Sequence, residues 1–492
     1  MPDLTPDAAA AWTRLRATTW ALCAIVFLAA FESLAVTTVM PTVSLDLDGA
    51  GLYAVAFAAP LASGVVGMVL AGAWADRAGP ARPLLTAATT FVAGLVVAGC
   101  APTMVVLAGG RFLQGLGGGA LTVVSYVVVA RLYPGALHAK VFAGFSAAWV
   151  VPSLVGPPVA GFVTEHLHWR WVFLAVAVLV APVVAVVLRR VASVGAPVPA
   201  DGTDGGAATG HDDEAAPEAS SGAARRRVAW AALAAAAVLL LGSSAELGGP
   251  ATVVAAVVGG VVALVALARL VPPGTLRAVR GLPAVVASRG LLAAAFFGAE
   301  VYLPYLLTRR YDVSPTLAGV TLTGAALTWA TASWVQGRLG ELRLPHARAI
   351  AGGTLVVLAG IAGSTVAAAL HAPVPVLVVT WAVGGFGMGL TYARQTVLVL
   401  RYSSAGAAGT NSSALSVADS IGASMALSVT GVVFAGVAHR GGDAPYVACL
   451  ALTTLLGIGA ALVARRTVAG AQPAGSTGEP ADEPTDASTA RT

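Results

Sequence analysis

Fourteen separate apolar runs, each roughly the twenty residues needed to cross a bilayer, constrain this chain more than any other property. They fall near positions 18–41, 52–75, 84–101, 104–130, 141–164, 171–188, 228–247, 251–271, 286–308, 314–337, 348–370, 373–399, 410–436 and 444–464. Inside hydrocarbon no water satisfies backbone N–H and C=O groups, so each run has to close its hydrogen bonds within itself, as a helix does. Composition agrees: 57% of the 492 residues are hydrophobic and 10% charged, against about 25% charged in soluble domains. The expected class is an all-α integral membrane protein. Its parts are a six-helix bundle over 1–190, a polar, disordered linker over 191–227, two additional transmembrane helices over 228–271, a second six-helix bundle over 272–466 and a disordered tail over 467–492.

The net charge of +5 does not point to nucleic acid, because the arginines are scattered singly between spans instead of forming a basic patch with interleaved aromatics. Positive-inside sorting accounts for them. With the N-terminus in the cytoplasm, nearly all arginines and Lys140 fall on cytoplasmic loops, Arg289 and Arg394 fall near inner helix ends, and only Arg170, Arg309, Arg310 and Arg440 lie outside. The adjacent Arg309 and Arg310 depart from the rule. Both termini, the linker and the tail are therefore expected on the cytoplasmic side, with no cleaved signal peptide. Arginine in place of lysine and the abundance of Ala, Gly and Val suggest a bacterial, GC-rich source and an inner-membrane location. Cys23, Cys100 and Cys449 lie in different spans, and His166 and His168 have no third ligand nearby, so no metal and no cofactor are implied.

Arg111 and Gln114 sit inside the apolar run 104–130. A cation at that depth costs at least about 2.5 kcal/mol on insertion scales and is expected to face the protein interior beside an acid. Glu32 is that acid: it lies nine residues before Pro41 at the outer end of the first span, as Arg111 lies eight after Thr103 at the outer end of the fourth. Glu300, eight residues before Thr308, mirrors that depth in the second half, and Asp419 lies near the middle of the span 410–436. Intramembrane carboxylates are functional candidates by default. Trp149, Tyr302, Tyr305, Trp329, Trp381 and Tyr392, with Gln114, are candidates for the wall of a cavity, with some belonging instead to the lipid-facing belt.

The loop after the second span reads Gly72-Ala-Trp-Ala-Asp-Arg-Ala-Gly-Pro-Ala-Arg82. It resembles the cytoplasmic-loop signature of the major facilitator superfamily, GxLaDRxGrrk, with Gly72, Asp76, Arg77, Gly79 and Arg82 in place and Trp74, Pro80 and Ala81 departing. A decayed copy, Gly337-Arg-Leu-Gly-Glu341, occupies the matching loop of the second half. The fourth span is similar to the family's RxxQGxGaa signature, with Arg111, Gln114, Gly115 and Gly117 matching. In the fifth span Gly156, Pro157 and Gly161 resemble the antiporter signature GPxxGG, with Ala160 at the first of its paired glycines. The first span, from Phe31 to Thr42, is similar to the LDxTIVNVALP signature of drug:proton antiporters, with Glu32 for the usual Asp.

This resemblance implies the major facilitator fold in its fourteen-helix branch, two six-helix bundles plus two extra helices that look added to the transport core. It also implies a proton-coupled exporter of hydrophobic or amphiphilic small molecules such as drugs, monomeric in the bilayer and no enzyme. Glu32, Arg111, Glu300 and Asp419 would couple protons. Gly72, Asp76, Arg77, Gly79, Arg82, Gly156, Pro157 and Gly161 would govern the conformational change. Export of a lipid or cell-envelope component, or a non-transporting membrane sensor on the same fold, are the alternative readings.

Overall fold

A computed structural model of the chain describes residues 6–191, 217–343, 345–403 and 407–468. Fifteen α-helices follow in order: α1 Pro6–Asp46, α2 Tyr53–Ala78, α3 Ala81–Gly99, α4 Met104–Leu132, α5 Gly135–His166, α6 Arg170–Val191, α7 Pro217–Ser243, α8 Gly249–Leu270, α9 Leu282–Glu300, α10 Tyr302–Arg310, α11 Pro315–Arg343, α12 His346–Ala369, α13 Val374–Arg401, α14 Ala408–Val437 and α15 Ala444–Ala464. Four of the connections contain a short 3-10 turn, and no β-strand occurs among the described residues.

Helices α9 and α10 are one span broken at Val301. Pro304 causes the break: it has no N–H to give the carbonyl of Glu300, and its ring crowds that carbonyl. At the kink the carbonyl of Val301 accepts a hydrogen bond from the Tyr53 hydroxyl of α2 at 2.8 Å. Counted this way there are fourteen rods. Among the described residues thirteen spans are long and apolar enough to cross a membrane. The fourteenth rod, α11, is long but carries many hydroxyls, because one of its faces is turned toward the protein. There Thr323 donates to the Leu154 carbonyl of α5 at 3.2 Å and Thr328 to the Ala382 carbonyl of α13 at 2.6 Å.

The pairing of helices repeats. In the first half α1 packs on α5 and α6, α4 on α2 and α3, and α3 on α6. In the second α9 packs on α14 and α15, α13 on α11 and α12, and α12 on α15. The central helix of each half reaches its neighbours through three glycines two residues apart. A Cβ on Gly115, Gly117 or Gly119 of α4 would run into backbone of α2 or α3, and one on Gly385, Gly387 or Gly389 of α13 into backbone of α11 or α12. Small residues thus let backbones approach where lipid offers no hydrophobic driving force.

The halves meet along two seams, α2 against α14 and α5 against α11. At the first seam Tyr53 of α2 stacks on Tyr305 with centroids 4.3 Å apart, inside a cluster completed by Tyr302, Phe434 and Tyr446. At the second, glycines allow contact: a Cβ on Gly161 would strike the backbone at Pro315 and Thr316, and one on Gly319 the carbonyl of Pro157. Beside them the Glu165 carboxylate of α5 accepts the N–H of Thr316 at 2.8 Å, capping the first turn of α11 from the other half. These contacts lie where α1 and α5 end and α2 and α11 begin.

Helix α7 begins at Pro217, ahead of the 228 expected, so Arg225–Arg227 are helical and not part of a linker. An alanine-rich stretch with its proline at the first position favours that start. Residues 192–216 and the tail beyond 468 lie outside the described residues. The extra pair is not set apart from the core. Helix α7 packs on both α2 and α14, and Ser428 of α14 donates to the Val238 carbonyl of α7 at 3.1 Å. Helix α8 leans on α7 and touches α14 along one edge only.

Candidate functional site

Glu32 of α1 is 2% exposed, and Arg111 and Gln114 of α4 are each 4% exposed. Arg111 Nη1 donates to Glu32 Oε1 and to Gln114 Oε1, Gln114 Nε2 donates to Glu32 Oε2, and Arg111 Nε reaches the Ala56 carbonyl of α2 at 3.1 Å. Both carboxylate oxygens are engaged, which is what a charge in a low-dielectric interior requires. The three-residue spacing of Arg111 and Gln114 sets them on one face of α4.

This cluster forms one wall of a cavity of about 360 Å³ between the halves. Helices α1, α2, α4 and α5 line it from one side, with Trp149 of α5 among the lining residues. The opposite wall carries Phe297 and Glu300 of α9, then Asp419 and Ser420 of α14. Three carboxylates, Glu32, Glu300 and Asp419, therefore face one space. Asp419 has its own cation. Its Oδ1 accepts from Arg289 Nε at 2.7 Å and from the Tyr392 hydroxyl at 2.8 Å, while the Arg289 guanidinium lies 3.4 Å from the centre of the Tyr392 ring. Glu300 differs from both. Half-buried at the Pro304 kink, it has no hydrogen-bond or ion-pair partner among the described residues.

The cavity excludes several aromatics expected in its wall. Tyr302 and Tyr305, 1% and 5% exposed, are packed into the α2–α14 seam, because the kink after Glu300 turns α10 onto Tyr53. Trp381 is fully buried and stacks on Phe296 at 4.6 Å. Trp329 and Tyr392 stand a layer behind the wall, edge to face at 5.2 Å, and Tyr392 reaches the site through Asp419. Arg289 is the residue that sequence reasoning left out. Residue counting puts it near a helix end, whereas it crosses from α9 to neutralise Asp419 on α14. The usable signal was an arginine and an aspartate both lying within apolar runs of the same half.

The loop-signature residues occupy the opposite end of α2 from the seam contacts. Arg131 of α4 donates to the Ala75 carbonyl at 2.9 Å, and Arg77 folds back on the Ala73 carbonyl of its own helix. Gly79 turns the chain with φ 78°, a value that favours glycine. Gly72 faces α4, and Arg82 is exposed in the first turn of α3. The side chains of Asp76 and of 337–341 lie outside the described residues. In α5, Gly156 approaches Phe31 of α1, while Pro157 and Gly161 form the contact with α11.

The sequence model of the Major Facilitator Superfamily matches residues 22–427. The chain belongs to this superfamily. An uncharacterised transporter of the same superfamily from Mycobacterium tuberculosis is 33% identical over 166 residues, 33% of this chain and 24% of that protein. The multidrug transporter protein MdtP of Bacillus subtilis is 31% identical over 147 residues, 30% of this chain and 27% of MdtP. The chain thus spans about a quarter of the length of these curated relatives. A POT family transporter crystallised with 5-aminolevulinic acid superposes with a TM-score of 0.65 at 13% identity, covering 91% of this chain and 94% of that one, a likeness of fold. For a member of the superfamily the repeated helix pairing has a plain meaning: two parallel halves related by an axis along the membrane normal.

Proposed function

We propose that the protein exports a hydrophobic or amphiphilic small molecule across a bacterial inner membrane in exchange for protons, by alternating access. The observation that carries this reading is the cavity between the halves, in which Glu300 has no cation beside it among the described residues while Glu32 and Asp419 are paired with Arg111 and Arg289. Taking up a proton at Glu300 removes an uncompensated charge from a low-dielectric space, so its occupancy by proton or by a cationic group of the cargo is exclusive. Glu32 enters the same exchange through Arg111: protonated, it would release the guanidinium toward Gln114 and the Ala56 carbonyl. With both termini in the cytoplasm, the seam contacts lie at the outer face and the cavity belongs to an inward-facing state. One relative named a multidrug transporter and another named a multidrug resistance protein support the cargo class.

Flux of a panel of cationic, neutral and lipid-like compounds in proteoliposomes bearing a pH gradient tests the reading. Glu300→Gln should abolish pH-driven exchange while neutral cargo still binds. Should Glu300→Gln exchange normally and Glu32→Gln not, the proton site belongs to the first half. Absence of gradient-dependent flux for every compound would remove proton-coupled export altogether.

A further inference from the structure

The membrane edge where α8 ends, α9 begins and α15 ends gathers five exposed arginines: Arg269, Arg277, Arg280, Arg465 and Arg466. Two hydrogen bonds tie together the segments that carry Arg277, Arg280 and Arg466. Gly281 N–H donates to the Arg466 carbonyl at 3.1 Å and Arg466 Nη1 to the Arg277 carbonyl at 3.5 Å. None has an acidic partner among the described residues. Directly beneath lies a slot of about 380 Å³ that is apolar along its length, walled by Leu264 and Leu267 of α8, Ala287 and Leu291 of α9, Met425 of α14 and Leu456 of α15. It exists because α8 leans on α7 and leaves α9 and α15 uncovered. Thr275 and Leu276 line both this slot and a second hollow of about 240 Å³ bounded by Arg277, so slot and basic rim are continuous.

We propose that this cleft binds a phospholipid with an anionic head group, one acyl chain in the slot and the phosphate against Arg277, Arg280 and Arg466. Surrounding lipid is as apolar as the slot wall, so the chain alone gives little selectivity. Discrimination comes from the arginines, which favour a head group of net negative charge over one whose phosphate is already balanced by its own ammonium group. The slot shares no lining residue with the cavity between the halves, and the proposal does not depend on what that cavity carries.

Native mass spectrometry of the full-length protein released from detergent, titrated with dioleoyl phosphatidylglycerol or dioleoyl phosphatidylcholine, tests the proposal. One phosphatidylglycerol should bind at least about tenfold tighter than phosphatidylcholine, and Arg277→Gln with Arg280→Gln and Arg466→Gln should erase that preference. Ala287→Leu, which narrows the slot, should weaken both lipids alike, with circular dichroism confirming the fold of each variant. Equal affinity of the unaltered protein for the two lipids would overturn the site and needs no variant to fold. That is also the outcome expected if the acidic residues 479–486 of the chain itself cover the arginines. Displacement of the lipid by water-soluble glycerol 3-phosphate would mark a simple anion site and overturn the lipid assignment.

Discussion

At Glu32 both carboxylate oxygens accept hydrogen bonds, at Glu300 neither does among the described residues, and a substitution therefore means different things at the two positions. Removing Arg111 strands a buried carboxylate, so Arg111→Ala should cost about 3–5 kcal/mol of stability in denaturant unfolding, and adding Glu32→Gln should restore most of it. If the double variant is no more stable than the single one, packing and not charge dominates that spot. Arg310, anomalous under positive-inside sorting, is explained by a second ionic node outside the spans. Arg310 Nε and His371 Nδ1 both contact Asp443, at 2.7 and 2.8 Å, and the imidazole stacks on Tyr311. Burial at Asp443 opposes ionisation, but the hydrogen bonds from Arg310 and His371 outweigh it and hold the carboxyl below its ordinary range. A lowered folded value contributes stability that is complete above the unfolded value and fades as pH falls through the folded one. The melting-temperature deficit of Asp443→Asn should accordingly be full at about pH 7 and shrink toward about pH 3. A deficit that stays constant over that range would exclude an ionic origin.

Among elements, α5 and α11 show how a close approach is held. Gly161 and Gly319 leave no room for a Cβ, and the carboxylate of Glu165 caps α11 across the seam. Gly161→Val should push the two helices apart at this end. Spin labels on His166→Cys and Leu317→Cys, both exposed, should then report a longer distance population than in the parent; an unchanged distribution would mean the glycine contact does not hold the seam. Spans and depths were legible in the sequence because both are one-dimensional: counting from Pro41 and from Thr103 brought Glu32 and Arg111 to one level. Direction around a helix was not. Nothing in the residue types of Tyr302, Tyr305 and Trp381 distinguishes a cavity wall from a packed seam; the kink at Pro304 does, and its effect appears only once α10 is placed. The same gap hid the reach of Arg289 to Asp419.

Taken as a whole, the molecule is two similar halves with one asymmetric addition. The sequence marked 228–271 as extra from its plain Ala, Val and Leu content, yet could not reveal that α7 sits on both halves, since the one side-chain hydrogen bond shown there, from Ser428, goes to a backbone carbonyl that carries no motif. Among the described residues none of α7 or α8 lines the cavity between the halves. Deleting 217–271 and rejoining the chain should therefore leave proton-driven flux measurable but slower, because the lost packing is replaced by lipid. A correctly inserted deletion protein with no flux would place the pair within the mechanism.

Because α7 covers the seam between α2 and α14 while α5 and α11 meet without such a strap, the protein has a front and a back in the plane of the membrane. Two flanks that a two-fold body would offer equally to the bilayer are reduced to one unshuttered side. Whatever approaches sideways through the lipid meets two bare helices at one seam and a third helix laid over the other.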